Sequence, residues 1–172
     1  MKKEGMLISM IAIVAHDGAI GVGGDQPFHI REDFRRFKEL TIGKPIVMGR
    51  RTFEALPKGA LPGRMNIVVT RSAGWSAEGV TPVSSVDAAV DAARASGAAE
   101  VMIIGGGEIY RQSMPVADRL YITEVDADVP DADTFFPPFD PTEWTLTSSD
   151  PYEVDPRSGA PYRFLVFDRK TR

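Results

Sequence analysis

The chain has 172 residues, 43% of them hydrophobic and 26% charged, which is the composition of a globular domain with room for one core. The 20 lysines and arginines against 24 acidic residues leave a net charge of −4, so nothing favours nucleic-acid binding. Cysteine is absent, which excludes disulfides and thiolate zinc sites. We therefore expect a cytoplasmic protein without a metal site.

The first apolar run, residues 6–15, has two interpretations. A basic start followed by apolar residues resembles a short signal peptide. Glu4 interrupts the basic region and no A-x-A cleavage site precedes His16, so a buried first strand is favoured. The run is too short for a bilayer, which takes about 20 apolar residues, and no membrane partner is expected.

Short β-branched runs alternate with helical patterns along the chain. We predict strands at 7–15, 45–48, 66–70, 100–104 and 119–125, and helices at 32–40, 51–56, 86–96 and 108–114. Ser85 and Gly97 are the predicted N-cap and C′ residues of the third helix. This pattern predicts a mostly parallel sheet with helices on both faces. Alternation in 144–149 and 162–169 adds an antiparallel C-terminal edge.

No linker or repeat divides the chain. We predict a single α/β domain over residues 1–172, in which residues 1–6 are an N-terminal extension. No exposed apolar stripe suggests a second copy, and a monomer is expected.

The first predicted helix carries one carboxylate on its apolar side. At about 100° per residue, the apolar face consists of Ile30, Phe34, Phe37 and Leu40. The opposite arc is charged and consists of Arg31, Glu32, Arg35, Arg36, Lys38 and Glu39. Asp33 falls inside the apolar arc. An acid near a helix start often only serves the helix dipole or a cap, but its place in the apolar arc favours a ligand.

Three predicted strands end in groups that suit a phosphate. These are Gly49, Arg50, Arg51 and Thr52 after the second strand, Thr70, Arg71 and Ser72 after the third, and glycines 105–107 after the fourth. Backbone N–H groups and guanidiniums bind phosphates well, and glycines let a ligand lie on the backbone. Each end alone could be an ordinary turn. Three at one edge of a parallel sheet favour a nucleotide site.

The sequence resembles the dihydrofolate reductase family, in its bacterial chromosomal type, from about residue 7 to the C-terminus. The resemblance rests on "ISMIAIVAHDGAIG", "FHIREDFRRFK", "GKPIVMGRRTFEAL", "LPGRMNIVV", "IIGGGEIY", "LYITEVDADVPDADTFFP" and the C-terminal hairpin. It implies the same sheet, with reduction of dihydrofolate to tetrahydrofolate, NADPH as cofactor, and binding of antifolate-like small molecules. It also implies a hydride transferred to C6 and a proton delivered to N5 by a water.

The resemblance implies roles for four residues near the reaction. Asp33 would accept hydrogen bonds from the 2-amino group and the adjacent ring nitrogen of dihydrofolate, with a pKa raised by burial. Thr123 matches the hydroxyl that hydrogen-bonds this acid. Tyr110 would lie near the nicotinamide. Phe28 stands where the family usually has tryptophan, which removes an N–H that holds a water near the pterin.

The remaining site residues are also implied by the resemblance. Apolar contacts to the substrate are matched by Ile11, Ile13, Phe34, Phe37, Leu56, Leu61 and Ile104. Arg64 matches the arginine that pairs with the α-carboxylate of the glutamate tail. Cofactor contacts are matched by Ala12, Ile20, Gly21, Gly49, Arg50, Arg51, Thr52, Thr70, Arg71, Ser72, Ile104, Gly106, Gly107, Glu108, Ile109 and Tyr110.

The resemblance carries two further expectations about the glycine-rich segments. Gly106 and Gly107 match a glycine pair that the family joins by a cis peptide. The loop at 16–27 would close over the reacting rings.

Two other functions remain open at this point. The reductase domain of riboflavin biosynthesis shares this fold and cofactor but reduces a ribosylamino-pyrimidine. Asp33, Phe34 and Phe37, together with "LPGR", favour folate over that substrate. A module that binds NADPH or a folate without turnover is the second alternative, and Phe28 is the residue that encourages it.

Overall fold

The computed structural model describes residues 5–170, so residues 1–4 of the predicted N-terminal extension lie outside the described part. The strands are β1 Leu7–Ala15, β2 Ala19–Gly21, β3 Ile46–Gly49, β4 Asn66–Val69, β5 Val80–Val83, β6 Glu100–Gly105, β7 Arg119–Val125, β8 Thr134–Phe135, β9 Trp144–Ser149, β10 Glu153–Val154 and β11 Pro161–Arg169. The helices are α1 Arg31–Thr41, α2 Arg50–Glu54, α3 Val86–Ala95 and α4 Gly107–Ser113, followed by a 3-10 turn at Met114–Val116.

One large sheet organises the described residues. Its strand order is β10-β11-β7-β1-β6-β3-β4-β5, and β9 also pairs with β11. The pairs from β7 through β1, β6, β3 and β4 to β5 are parallel, whereas β11 is antiparallel to β7, β9 and β10. The predicted α/β fold, with a mostly parallel sheet and an antiparallel C-terminal edge, is therefore confirmed.

Strand β1 separates two layers of the core. Met10 and Ala12 point into one cluster, which also contains residues of α3 and α4. Ile11 and Ile13 point to the other face, toward the side of the sheet that α1 covers. Because both faces are covered, nearly every residue of the strand is buried.

The main elements lie within one or two residues of their predicted bounds. Ser85 caps α3 as predicted, since its side chain accepts a hydrogen bond from the N–H of Ala88 at 3.0 Å. Gly97 follows the helix with a φ of +83°. The short strands β2, β5, β8 and β10 were not predicted. Strands β2, β8 and β10 have only two or three residues, too few to show a period, and β5 contains Pro82.

The predicted loop at 16–27 is not irregular throughout. Strand β2 lies within it and pairs antiparallel with β8, and Val22 bridges Asp25. Closure of this segment over a ligand stays a prediction.

Helix α1 corrects the sequence pattern at two positions. Phe34, which we placed on the core face, is 48% exposed. Arg36, which we placed on the solvent face, is half-buried, with its guanidinium carbon 4.3 Å from the centre of the Phe164 ring. The helix rests on the sheet through Phe37 and Leu40, so Phe34 is left exposed to solvent, while the long stem of Arg36 folds over the sheet.

Among residues 5–170, no helix is both long and apolar enough to cross a membrane.

Candidate active site

The carboxylate of Asp33 meets the hydroxyl of Thr123 where α1 lies over the sheet. Thr123 Oγ1 donates a hydrogen bond of 2.5 Å to Asp33 Oδ1. Thr123 is only 3% exposed and pairs in register with Ile13 on β1 and Phe164 on β11. The threonine is thus fixed by a strand on each side. We call this region, formed by Asp33, Thr123 and the apolar residues around them, the acid pocket.

Burial governs the ionisation of Asp33. Loss of solvent raises its pKa above the ordinary aspartate value, while the Thr123 hydroxyl and the Arg36 charge partly oppose this rise. The raised pKa expected from the sequence is thus found, and its main cause is the expected one.

The predicted apolar substrate contacts fall into two clusters on the side of the sheet that α1 covers. Ile11, Phe37, Leu56, Leu61 and Ile104 belong to one cluster. Ile13 belongs to the other, together with Phe28. Phe34 stands exposed beside Asp33, with its ring centre 6.1 Å from that of His29. A large exposed apolar side chain next to a half-buried acid suits an apolar ring with a polar edge.

Phe28 is half-buried at the inner end of the acid pocket. It packs against Ile13 on one side and against a small cluster that contains Ala15 and Ala19 on the other. Phenylalanine offers no N–H to a water at this place, in contrast to the tryptophan usual in the family.

Arg64 is tied to the C-terminal turn of α1. Its Nε donates to the carbonyl oxygen of Pro62 at 2.9 Å, and its Nη1 donates to Thr41 Oγ1 at 3.1 Å. Among residues 5–170, Nη2 has no protein acceptor. Partial burial lowers the pKa of Arg64, but a guanidinium stays charged, so the free nitrogen can still receive a carboxylate.

The carboxyl ends of β3, β4 and β6 form a second region that is built from backbone and small side chains. We call it the glycine edge, and it comprises residues 49–52, 70–72 and 105–110. Its parts are in close contact. A methyl group placed on Gly49 would lie 3.1 Å from Ile109 Cγ1, and one placed on Gly106 would lie 3.2 Å from Thr52 Oγ1.

The cis peptide lies one residue earlier than predicted. It joins Gly105 to Gly106, not Gly106 to Gly107. The reason is local, because β6 extends to Gly105 and α4 already begins at Gly107, which leaves Gly106 as the turn between them. Neither α2 nor α4 has a side-chain cap, so no side chain occupies their first N–H groups.

Basic and hydroxyl side chains surround the glycine edge. Arg50 Nε pairs with Glu54 at 3.0 Å, and Arg50 Nη1 donates to Ser72 Oγ at 3.1 Å. Thr70 Oγ1 accepts from the N–H of Ser72 at 3.1 Å. Arg71 and Arg51 are exposed. The strand ends at 49–52 and 70–72, which we predicted to act together, are therefore joined by a direct hydrogen bond.

Glu108 is exposed and pairs with Arg111 and Gln112. These contacts hold the pKa of Glu108 below its ordinary value, so it remains an anion at the rim of the glycine edge.

Two residues at the glycine edge were missed from the sequence. The guanidinium of Arg50 lies over the indole ring of Trp75, with 5.4 Å between the guanidinium carbon and the ring centre. Thr134 closes the other side, since a methyl group placed on Gly107 would lie 2.6 Å from Thr134 Cγ2. Trp75 lies in a segment without periodicity and Thr134 in a two-residue strand, so neither carried a sequence signal.

Ile20 and Gly21 reach the glycine edge from β2. Ile20 Cδ1 lies 4.0 Å from a methyl group placed on Gly107, and Gly21 packs on Thr134. The two residues that we predicted to contact the cofactor from the segment 16–27 thus lie against the glycine edge.

Three predicted cofactor residues are buried beneath the glycine edge, namely Ala12, Ile109 and Tyr110. The hydroxyl of Tyr110 lies 2.6 Å from the carbonyl oxygen of Ile11 and 2.9 Å from that of Ile104. Burial raises the pKa of Tyr110 far above its ordinary value, so it remains a neutral phenol. Tyr110, at the glycine edge, therefore ties the middle of β1 to the C-terminal end of β6, at two residues that belong to the apolar cluster of the acid pocket.

The chain has close relatives among known proteins. A family model described as dihydrofolate reductase matches residues 7–169. The type 3 dihydrofolate reductase of Salmonella typhimurium is 43% identical over 165 residues, which cover 96% of this chain and 99% of the relative. The dihydrofolate reductase of Neisseria gonorrhoeae is 45% identical over 160 residues, which cover 93% of this chain and 96% of the relative.

A solved structure gives the same result. Dihydrofolate reductase from Enterococcus faecalis, complexed with NADP(H) and RAB-propyl, matches with a TM-score of 0.88 and 31% identity, over 96% of this chain and 97% of that chain. The chain therefore belongs to the dihydrofolate reductase family. The family, and with it an oxidoreductase enzyme, is confirmed as predicted from the sequence.

Proposed function

We propose that this enzyme reduces 7,8-dihydrofolate to 5,6,7,8-tetrahydrofolate with NADPH, by hydride transfer to C6 and protonation of N5 through a water. The single observation that carries the proposal is the hydrogen-bonded pair of Asp33 and Thr123 in an otherwise apolar pocket. A half-buried carboxylate is costly unless a ligand uses it. The 2-amino group and ring nitrogen of a pterin offer two donors to its oxygens.

The acid pocket also fits the rest of the substrate. The apolar cluster with Ile11, Phe37 and Leu61 suits the aminobenzoyl ring. Arg64, fixed on the C-terminal turn of α1 and with one nitrogen free, suits the carboxylate of the glutamate tail. The ring therefore binds beside Asp33 while the tail extends along α1.

The glycine edge fits NADPH. Gly49 and Gly106 pack so closely on Ile109 and Thr52 that a side chain there would be crowded, which keeps the backbone bare for a ligand. Arg50, Arg51 and Arg71 supply positive charge for phosphates. Bound NADPH would supply the hydride. The protein would hold the two rings together, because Tyr110 fixes the middle of β1 against the end of β6.

Asp33 polarises the pterin and does not itself carry the proton to N5. Its Oδ1 already accepts a hydrogen bond from Thr123. In the proposed arrangement the carboxylate would bind the edge of the ring that bears the 2-amino group, away from N5. A water therefore delivers the proton. Phe28 offers that water no N–H, and it must be held by other groups.

The test follows loss of NADPH absorbance in the presence of dihydrofolate, with Asp33→Asn beside the parent enzyme. Losing the charged acceptor should lower kcat/KM by about 10- to 100-fold. Asp87→Asn is a matched control, because Asp87 is an exposed acid in the first turn of α3 and serves only that helix. Equal activity in Asp33→Asn and Asp87→Asn would contradict the proposed role of Asp33.

Competition with a ribosylamino-pyrimidine separates the second substrate class. We expect no oxidation of NADPH with that compound and no inhibition of dihydrofolate reduction. Binding of both ligands without turnover by the parent enzyme would instead favour the non-catalytic alternative.

A further inference from the structure

Arg36 lies one helical turn after Asp33 and on the same face of the sheet. Its guanidinium carbon is 4.3 Å from the ring centre of Phe164 and 5.9 Å from that of Tyr121. Phe164 is the register partner of Thr123, which donates to Asp33. Asp33 therefore contacts Thr123 on β7, and Arg36 contacts the residue paired with Thr123 on β11.

The guanidinium of Arg36 is half-buried but has no close ionic partner. Among residues 5–170, no carboxylate oxygen lies within 4.0 Å of its nitrogens. The carboxylates that act on it from a greater distance are those of Asp150 and Asp33. A partly desolvated charge that no contact neutralises exerts a field on its neighbours.

We propose that Arg36 is a positioning residue for the reaction, which keeps the carboxylate of Asp33 ionised so that it can bind the pterin. The inference rests on the proposed role of Asp33. Arginine suits this task, because its guanidinium stays charged when it stacks on aromatic rings, and its stem packs along the sheet.

The other groups around Asp33 and Arg36 are either neutral or negatively charged. Asp33 faces the hydroxyl of Thr123 and lies near the phenols of Tyr110 and Tyr162, which burial keeps protonated by raising their pKa values. Glu32, its helix neighbour, also acts on Tyr162. Arg36 faces Tyr121, and the negative charge of Asp150 also attracts its guanidinium.

Since the charge of Arg36 favours the ionised form of Asp33, the removal of Arg36 has a predictable sign. The carboxylate should become harder to ionise, and its pKa should rise further above the ordinary value.

The experiment titrates Asp33 directly, by carbon-13 NMR of the ligand-free protein with labelled aspartate carboxyls. The signal is assigned by its loss in Asp33→Asn. Arg36→Gln should move the midpoint of the Asp33 titration upward by about half a pH unit. Arg36→Lys should keep most of the parent midpoint. Arg35→Gln is the control, since Arg35 is exposed on the same helix and pairs with Glu32 at 3.8 Å.

A purely structural role for Arg36 gives a different result. Arg36→Gln would then be less stable, but the Asp33 midpoint would stay at the parent value, and this outcome overturns the proposal. Asp150→Asn gives a second test that leaves Arg36 in place. It removes an anion that competes for Arg36, so the midpoint should move downward, and an upward or absent shift contradicts the proposal.

The activity assay supplies an independent readout. On the acid side of the pH profile, Arg36→Gln should raise KM for dihydrofolate several-fold with a smaller change in kcat, and Arg36→Lys should restore it. The titration needs no turnover. If the parent enzyme failed to reduce dihydrofolate, the proposed function would fail while the effect of Arg36 on Asp33 remained measurable.

Discussion

The acid pocket and the glycine edge occupy neighbouring parts of the same sheet, but the first is formed mainly by side chains and the second mainly by backbone. In the acid pocket, side chains define the chemistry, and the hydroxyl of Thr123 fixes the carboxylate of Asp33 at 2.5 Å. At the glycine edge, the backbone defines the chemistry, and side chains are small where strands β3 and β6 end. Tyr110 connects the two through the carbonyl oxygens of Ile11 and Ile104.

The difference shows how each region tolerates change. In the acid pocket a single functional group can be removed while the shape is kept. The glycines of the glycine edge have no side chain to remove, so an added atom or a lost surface charge is the way to perturb them. Substitutions in the two regions should therefore fail in different ways.

The largest effect is expected where an atom is added to the glycine edge. Gly107→Ala places a methyl group 2.6 Å from Thr134 Cγ2, and the collision should lower the free energy of unfolding by about 1–3 kcal/mol. The start of α4 would shift with it, so NADPH should bind more weakly. Urea denaturation and NADPH titration by fluorescence would measure both changes.

A second substitution identifies the cause of this effect. Thr134→Ser removes the colliding methyl group and keeps the hydroxyl that bonds to Asp133. Gly107→Ala combined with Thr134→Ser should recover most of the stability that Gly107→Ala loses. Additive losses in the double variant would contradict the collision.

The next effect concerns the charge at the glycine edge. Arg71 is exposed beside Thr70 and Ser72, and we expect it to contact the 2′-phosphate that distinguishes NADPH from NADH. Arg71→Gln should raise KM for NADPH by about 10-fold and leave KM for NADH nearly unchanged. Arg94→Gln is the control, because Arg94 is exposed on α3, outside the glycine edge, and pairs with Asp91. An equal rise in KM for NADPH and NADH would mean that Arg71 does not contact the 2′-phosphate.

A smaller effect tests the acid pocket in the same manner. Thr123→Val keeps the shape and removes the donor to Asp33, so the pKa of Asp33 should rise further. The affinity for dihydrofolate should fall by about 5-fold near pH 7, and more at lower pH. Thr123→Ser keeps the donor and should remain close to the parent. A similar loss in Thr123→Ser would mean that packing, not the hydrogen bond, is the cause.

Sequence alone predicted the acid pocket better than the glycine edge, for a physical reason. A carboxylate in an apolar helix arc is anomalous at one position only, so the pattern singled out Asp33, although a role at the helix start was also open. Three consecutive glycines are equivalent in sequence, and the cis bond was assigned one residue too late. Phe34 and Arg36 were misplaced, because periodicity describes one helix and not the surface that it meets.

The surroundings of Asp17 shift its pKa in the opposite direction from those of Asp33. Asp17 accepts hydrogen bonds from the N–H groups of Val129 and Ala19 at 3.1 and 3.2 Å. The bond from Val129 is the main cause of a pKa below the ordinary value. Burial raises the pKa of Asp33 instead. One carboxylate is thus stabilised as an anion by folding and the other is destabilised.

The two acids should therefore affect stability with opposite signs as the pH changes. For Asp33, the unfolded chain releases its proton first, so the free energy of unfolding falls as pH rises from the ordinary pKa to the raised one. Asp33→Asn should be more stable than the parent near pH 7, by up to about 1 kcal/mol, and equal to it below about pH 3.

For Asp17, the stabilisation is present above the ordinary pKa and is lost as pH falls through the lowered one. Asp17→Asn should therefore be less stable near pH 7, and the deficit should close in acid. Urea denaturation at both pH values measures the two differences, and the same sign for both variants would contradict the contrast.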